Sequence, residues 1–203
     1  MKINLDAVHI INLDHRIDRW KQVKEDITPL QQELGFEVNR FPAIYMPDDT
    51  VLGCRLSFQE AVRQAKMRKD EYVCICQDDL YVLDTEKVKT ALENAPDDWD
   101  ILLGGVYYFV PESHYNQHWY KLKDFCALHF TIIHTRYYDA VLNAGRTMKH
   151  FDRQLGNDLK KTHGKVFVMH PMPIKQRRGF SDLQHRNVDY NNINLPWIKK
   201  VLN

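Results

Sequence analysis

The sequence predicts an α/β fold, a mostly parallel central sheet covered by helices on both faces. Short apolar runs alternate along the 203 residues with segments whose apolar side chains recur at helical spacing. Runs such as Tyr72–Cys76 and Ile101–Gly105 are apolar throughout, which is typical of strands buried on both faces. No internal repeat or linker interrupts the chain, so we expect one domain over 1–203, with an irregular C-terminal segment at 171–203.

The first half of the chain repeats a strand-helix pattern. Strands are predicted at Val8–Leu13, Val38–Tyr45, Tyr72–Cys76 and Leu80–Leu83. Helices are predicted to start near Asp14, Ser57 and Thr85, because each side chain can accept a hydrogen bond from a first-turn amide. These helices are expected to end near Ile27, Lys69 and Asn94, and the stretch 46–53 is expected to form a loop.

The second half continues the alternation after a turn at 96–98. Strands are predicted at Ile101–Gly105, Leu128–His134 and Lys165–His170. Helices are predicted at Thr135–Asn143 and Asp152–His163, with a short closing helix at Pro196–Leu202. The polar and aromatic stretch 111–120 is predicted to be a loop.

Charge and composition argue against several classes of partner. The 28 basic and 27 acidic residues give a net charge of +1, so no bulk attraction to nucleic acid is expected. No apolar run approaches the ~18 residues of a transmembrane segment, and the N-terminus lacks a signal-peptide core. The four cysteines form no CxxC pair, so reduced thiols are expected rather than a zinc site. Reduced thiols in turn favour a cytoplasmic location.

The most informative polar feature is Gln77-Asp78-Asp79, which directly follows a predicted buried strand. In open α/β sheets, ligands bind at the carboxyl ends of the strands. Adjacent carboxylates at such a place repel each other unless a cation or hydrogen-bond donors compensate, and their oxygens suit Mg²⁺ or Mn²⁺. The alternative is a turn with helix-capping acids.

Four segments in order resemble glycosyltransferase family 25, which includes lipopolysaccharide-type galactosyltransferases and the collagen galactosyltransferase domain. Ile10–Trp20 is similar to the family's opening strand with paired arginines, and Gly53–Ala61 to its Gly-Cys-x-x-Ser-His helix start. The strand ending in Gln77-Asp78-Asp79 is similar to its Glu-Asp-Asp motif, and Pro171–Leu183 to its late Ser-Asp segment.

This resemblance implies a GT-A fold with a Rossmann-like nucleotide-binding sheet. It implies transfer of a hexose, galactose or glucose, from a UDP-sugar to a hydroxyl of a glycan or glycoprotein acceptor. The transfer would be metal-assisted and inverting. Asp79 is then expected to contact the metal, and Asp78 to bind either the metal or the donor. Two residues depart from the family, since Gln77 replaces Glu and Phe58 replaces His.

Other polar residues receive donor-side roles on this hypothesis. Arg16 and Arg19 follow the first strand and could clamp a pyrophosphate, because a guanidinium offers several donors in a fixed fork; they could equally be exposed helix charges. Asn12 is expected either to face the nucleotide or to cap the next turn. Donor contacts are also expected at Ser57, Gln77, Gln176, Ser181 and Asp182.

An inverting transfer needs a base that takes the proton of the acceptor hydroxyl. Asp152, just before a predicted helix, is the expected base, with a plain helix cap as the alternative; Asp158 is the second candidate. A non-catalytic relative that binds a nucleotide or sugar remains open, motivated by Gln77. A nucleotidyltransferase is a weaker alternative, and no GxGxxG or GxxxxGK[ST] pattern supports a dehydrogenase or P-loop enzyme.

Overall fold

The computed structural model describes residues 2–189. Its strands, in chain order, are β1 (Ala7–Asn12), β2 (Glu37–Pro42), β3 (Tyr72–Gln77), β4 (Leu80–Val82), β5 (Ile101–Leu103), β6 (Tyr108–Asn116), β7 (Trp119–Cys126), β8 (Phe130–His134), β9 (Val166–Met169), β10 (Ile174–Gln176), β11 (Gly179–Ser181) and β12 (Arg186–Val188). Its helices are α1 (Ile17–Leu34), α2 (Thr50–Arg68), α3 (Thr85–Glu93), α4 (Tyr138–Leu142) and α5 (Phe151–Thr162).

An eight-stranded sheet forms the centre of the molecule, in the order β2-β1-β3-β8-β5-β9-β7-β6. Strands β8 and β7 run against the other six, so most strands share one direction. Two small antiparallel pairs, β4 with β10 and β11 with β12, lie outside this sheet. The predicted α/β class with a mostly parallel sheet is confirmed.

Each face of the sheet buries its own hydrophobic cluster, because successive side chains of a strand point to opposite faces. On β3, Cys74 and Cys76 pack with α1 and α3, while Val73 and Ile75 pack with α2, α4 and α5. This continuous burial explains why β3 is apolar from Tyr72 to Cys76. All four cysteines are free thiols, and three of them are buried.

Helix α2 begins seven residues earlier than the predicted start at Ser57. Its N-cap is Asp49, whose side chain accepts a hydrogen bond from the amide of Leu52 at 2.9 Å. The predicted loop at 46–53 is therefore half helix, and Ser57 lies inside α2 rather than capping it. Likewise Asp84, not Thr85, caps α3, and α1 continues past Ile27 to Leu34 with Pro29 inside it.

Two predicted irregular stretches contain strands. The stretch 111–120 belongs to the β6–β7 hairpin, whose pairing register shifts at several points. These shifts break the strict polar-apolar alternation by which a strand is recognised. The expected irregular segment from 171 holds β10, β11 and β12. The helix predicted at Pro196–Leu202 lies outside the described residues.

No helix within residues 2–189 combines the length and the apolar character that crossing a membrane requires.

Candidate active site

A cavity of about 350 Å³ lies at the carboxyl ends of β1, β2 and β3. Its lining includes the residues after β2, the first half of α2 and the start of α5, and α2 and α5 meet through Phe58 and Phe151. The hairpin β11–β12 lies along a further side. Among the predicted site residues, those that line the cavity are Arg19, Ser57, Gln77, Asp78, Asp79, Asp152, Gln176, Ser181 and Asp182.

Asp78 is held by two donors at the end of β3. Its carboxylate accepts hydrogen bonds from Asn12 Nδ2 at 2.7 Å and from an Arg19 guanidinium nitrogen at 2.8 Å. Burial raises the pKa of Asp78, while the charge of Arg19 opposes that shift. The side chain is therefore fixed in place at the cavity wall.

Asn12 forms hydrogen bonds that position other residues of the site. Besides Asp78, its amide nitrogen donates to the carbonyl of Arg16 at 3.1 Å, and its oxygen accepts from Arg40 Nε at 2.8 Å. Asn12 is almost fully buried and is absent from the described residues that line the cavity. Its polar atoms orient Asp78 and the start of α1, and the expectation that it faces the donor stays a prediction.

Asp79 differs from Asp78 in the hydrogen bonds of its two carboxylate oxygens. Its Oδ2 accepts a hydrogen bond from Gln176 Nε2 at 2.8 Å. Its Oδ1 is buried and has no hydrogen-bond partner within residues 2–189. Burial raises the pKa of this carboxyl group, with Arg19 and the Gln176 bond acting against the shift. A buried oxygen without a partner is costly, so Asp79 is prepared for a cation or a donor.

Arg16 and Arg19 follow β1 at the start of α1. Arg19 pairs with Asp78 and donates to the carbonyl of Phe180 at 2.5 Å. Arg16 forms salt bridges with Asp18 and with Asp182. Arg16 is not among the described cavity-lining residues, although its partner Asp182 is. Both guanidinium groups are thus already neutralised by carboxylates.

Asp152 stands in the first turn of α5. One carboxylate oxygen accepts from the amide of Ala127 at 2.9 Å, and the other from the amide of Arg153 at 2.7 Å. Burial raises the pKa of Asp152 despite these bonds. The residue is not the helix N-cap, which is His150. Asp158, the second candidate base, accepts both of its hydrogen bonds from Gln154 and is not among the described lining residues.

Ser57 and Gln77 also line the cavity, Ser57 buried and Gln77 half-buried. The buried Ser57 hydroxyl donates to the carbonyl of Gly53 at 2.7 Å and accepts from the amide of Ile44 at 2.8 Å. Its contacts in this structure fix the segment after β2 against α2. Gln77 Nε2 lies 4.0 Å from the Cys54 sulfur. Phe58, at the position where the resemblance expects His, is core and packs edge-on against Phe151 with ring centroids 5.6 Å apart.

Several cavity residues were not predicted from the sequence. His15 and Tyr45 follow β1 and β2, and their rings meet edge-on at 5.1 Å. His150, two residues before Asp152, also lines the cavity. The signal for His15 and Tyr45 was their place at or just after the end of a predicted strand, where side chains reach the carboxyl edge of the sheet.

The two carboxylates after β3 fit a divalent cation of the Mg²⁺ or Mn²⁺ kind. Such ions are commonly held by one or two carboxylates, with waters and substrate phosphates completing the shell. Within residues 2–189, no group of three or more His, Cys, Asp or Glu side chains is arranged to hold a metal. The buried, unpartnered Oδ1 of Asp79 supplies the observation that favours a cation here. A substrate would therefore have to share in binding it.

No protein-family model matches this sequence, and no curated protein matches it. Solved structures with a similar fold include a β1,4-galactosyltransferase 7 from Drosophila in complex with manganese, UDP-Gal and xylobiose. The Drosophila enzyme is 11% identical to this chain, with a TM-score of 0.53. The match covers 97% of this chain and 74% of the Drosophila chain. A glycosyltransferase involved in the glycosylation of the major capsid of PBCV-1 is 10% identical to this chain, with a TM-score of 0.50. The match covers 88% of this chain and 95% of the PBCV-1 chain. The chain therefore has the fold of these glycosyltransferases.

Proposed function

We propose that this protein is a glycosyltransferase that moves a hexose from a UDP-sugar to a hydroxyl of a glycan or protein-linked acceptor. The observation that carries the proposal is the meeting of Asp78, Asp79, Arg19 and Asp152 around one cavity at the carboxyl end of a buried strand. The Drosophila enzyme of similar fold was solved with manganese, UDP-Gal and xylobiose, which supports this choice of ligands. The four segments that resemble family 25 support it independently.

The donor side of the proposed site combines two carboxylates and an arginine. Asp79, with Asp78 beside it, would hold Mn²⁺ or Mg²⁺, and Arg19 would pair with the diphosphate. When bound, the cation would neutralise the negative charge that grows on the departing nucleoside diphosphate. Asn12 and Gln176 keep the two carboxylates in position.

The acceptor side contains Asp152 as the base. In the proposed step, the acceptor oxygen attacks the anomeric carbon, the bond from that carbon to the diphosphate oxygen breaks, and Asp152 takes the hydroxyl proton. Attack from the face opposite the leaving group inverts the anomeric carbon. The amides of Ala127 and Arg153 fix the carboxylate, and burial raises its pKa, which makes it a stronger base than an exposed aspartate. The free, mostly buried cysteines fit a cytoplasmic site of action.

Thermal unfolding with ligands tests the proposal. UDP and Mn²⁺ together should raise the unfolding temperature more than the sum of their separate effects, because binding to the folded state stabilises it by mass action. The Asp79→Asn variant should lose this synergy, whereas Asp48→Asn, at an exposed loop position, should keep it. The absence of any shift with nucleoside diphosphates and nucleotide sugars, with or without metal, would contradict the proposal.

Gln77 favours a second candidate function, a nucleotide-sugar-binding protein without transferase activity. It stands beside the acidic pair where the family that the segments resemble has Glu, and Gln keeps a coordinating oxygen but loses the charge. Donor hydrolysis without acceptor separates the two candidates: equal background rates for wild type and Asp79→Ala favour the binding protein. Gln77→Glu should then tighten Mn²⁺ binding by about tenfold, since ligand charge tunes such sites.

A further inference from the structure

The hairpin β11–β12 is tied to the donor side of the cavity by charge. Its residues Ser181–His185 line the cavity. The Asp182 carboxylate forms a salt bridge with Arg16 and lies 4.0 Å from Arg19. Arg19 also donates to the carbonyl of Phe180 at 2.5 Å, and Thr50 Oγ1 donates to the carbonyl of Leu183 at 3.1 Å. The hairpin therefore closes one side of the cavity through these contacts.

The Asp182 carboxylate occupies the position that an anionic ligand of Arg16 and Arg19 would occupy. The side chains of Arg16 and Arg19 are each 16% exposed and that of Asp182 is 26% exposed, so water screens their attraction only in part. Carboxylate and phosphate oxygens use the same fork of guanidinium N–H groups. One group of donors cannot serve both anions fully at the same time.

The charge balance of this cluster leaves no free cation for a diphosphate. Three carboxylates, Asp18, Asp78 and Asp182, already pair with the two guanidinium groups. Asp78 is buried in the wall and also held by Asn12. Asp182 is carried instead by a hairpin with two three-residue strands outside the main sheet, so it can leave without disrupting the core.

We infer that Asp182 is an internal competitor of the diphosphate, a carboxylate that latches the hairpin β11–β12 onto Arg16 and Arg19 until the ligand displaces it. The inference rests on the proposed function for the identity of the ligand. It gives Asp182 a role different from the expected donor contact. The diphosphate takes the two arginines, the salt bridge breaks, and the hairpin is released from the donor side.

Pyrophosphate binding tests the competition with a probe that carries no sugar. By calorimetry, Asp182→Asn should bind pyrophosphate about tenfold more tightly than wild type, because the charged competitor is gone. Asp18→Asn is the matched control: it removes a charge from the same Arg16, but its side chain is 66% exposed and is not part of the hairpin. The control should change affinity by less than about threefold. Equal or weaker binding by Asp182→Asn would overturn the latch.

Hydrogen exchange of the hairpin tests its release. In ligand-free protein, amides of residues 179–188 should exchange faster in Asp182→Asn than in wild type or Asp18→Asn. Pyrophosphate should bring the wild-type hairpin to the rate of Asp182→Asn. Unchanged exchange, or slower exchange on binding, would overturn the latch.

The outcomes separate this inference from the proposed function. If pyrophosphate binds as expected but no nucleotide sugar binds with or without Mn²⁺, the latch stands and sugar transfer fails. If UDP and Mn²⁺ bind to wild type and to Asp182→Asn with equal affinity, the transferase proposal stands and the latch fails. If pyrophosphate binds to neither protein, the latch fails.

Discussion

At Asp79, one carboxylate oxygen is bonded to Gln176, and the other has no partner within residues 2–189. Burial raises the pKa of this group, so its charged form is disfavoured in the folded ligand-free protein. Asp79→Asn removes the buried charge and should therefore raise the free energy of unfolding without ligand. The same change should lower transfer by about 100-fold. Chemical denaturation and a transfer assay check the two effects, and a destabilised Asp79→Asn would contradict the first.

The role of Asp152 as a base predicts how the transfer rate depends on pH. Burial raises its pKa above the ordinary value of 3.8, and a base acts only when it is deprotonated. The rate at limiting substrate should thus rise with pH along an acidic limb that lies above pH 3.8, to which Asp152 contributes beside Asp78 and Asp79, whose pKa values burial also raises. Asp152→Asn should abolish most of the activity, while Asp158→Asn should keep the limb. A wild-type profile that is flat on the acid side would remove Asp152 from the role of base.

At the scale of elements, the sequence predicts β3 well and the β6–β7 hairpin poorly, for a physical reason. A strand buried on both faces needs apolar residues throughout, so Tyr72–Cys76 is recognisable from composition. β6 is largely exposed beyond Val110, and its pairing register shifts, so neither alternation nor a continuous apolar run marks it. The prediction of the α2 start at Ser57 was wrong because Asp49 and Ser57 are both residue types that cap a helix.

The cap at Asp49 connects helix stability to the candidate site. The segment 44–47, just before α2, lines the cavity, and α2 contributes Cys54 and Ser57 to the same wall. Asp49→Ala removes the bond to the amide of Leu52 and should cost about 1 kcal/mol of stability. Its exposed neighbour gives the control, Asp48→Ala, which should change the unfolding free energy by less than about 0.5 kcal/mol. Equal losses for the two variants would show that the cap contributes nothing specific.

At the scale of the whole molecule, the sheet order brings distant sequence segments to one edge. β1 and β3 are neighbours, so Asn12 and Asp78 meet although 66 residues separate them. Sequence reasoning predicted the acidic pair because it directly follows a buried strand. It did not predict that Asn12 supports Asp78 or that Asp182 pairs with Arg16, since these pairings depend on tertiary contacts that no local pattern encodes.

His129 is buried just before β8, near the centre of the sheet. Its protonation affects the stability of the whole chain. Burial lowers the pKa of His129 from 6.5 to about 4. The folded state therefore binds this proton less readily than the unfolded state, so its contribution to stability is complete above pH 6.5 and is lost as pH falls toward about 4. The loss should amount to about 3 kcal/mol.

Cooperative unfolding at a series of pH values measures that contribution. As pH falls from 6.5 to 4, the free energy of unfolding of wild type should fall relative to that of His129→Leu, because Leu binds no proton in either state. The exposed His114 offers the control, and His114→Gln should follow the wild-type curve. Parallel curves for wild type and His129→Leu would mean that the folded and unfolded states bind this proton equally well, and the lowered pKa of His129 would have to be abandoned.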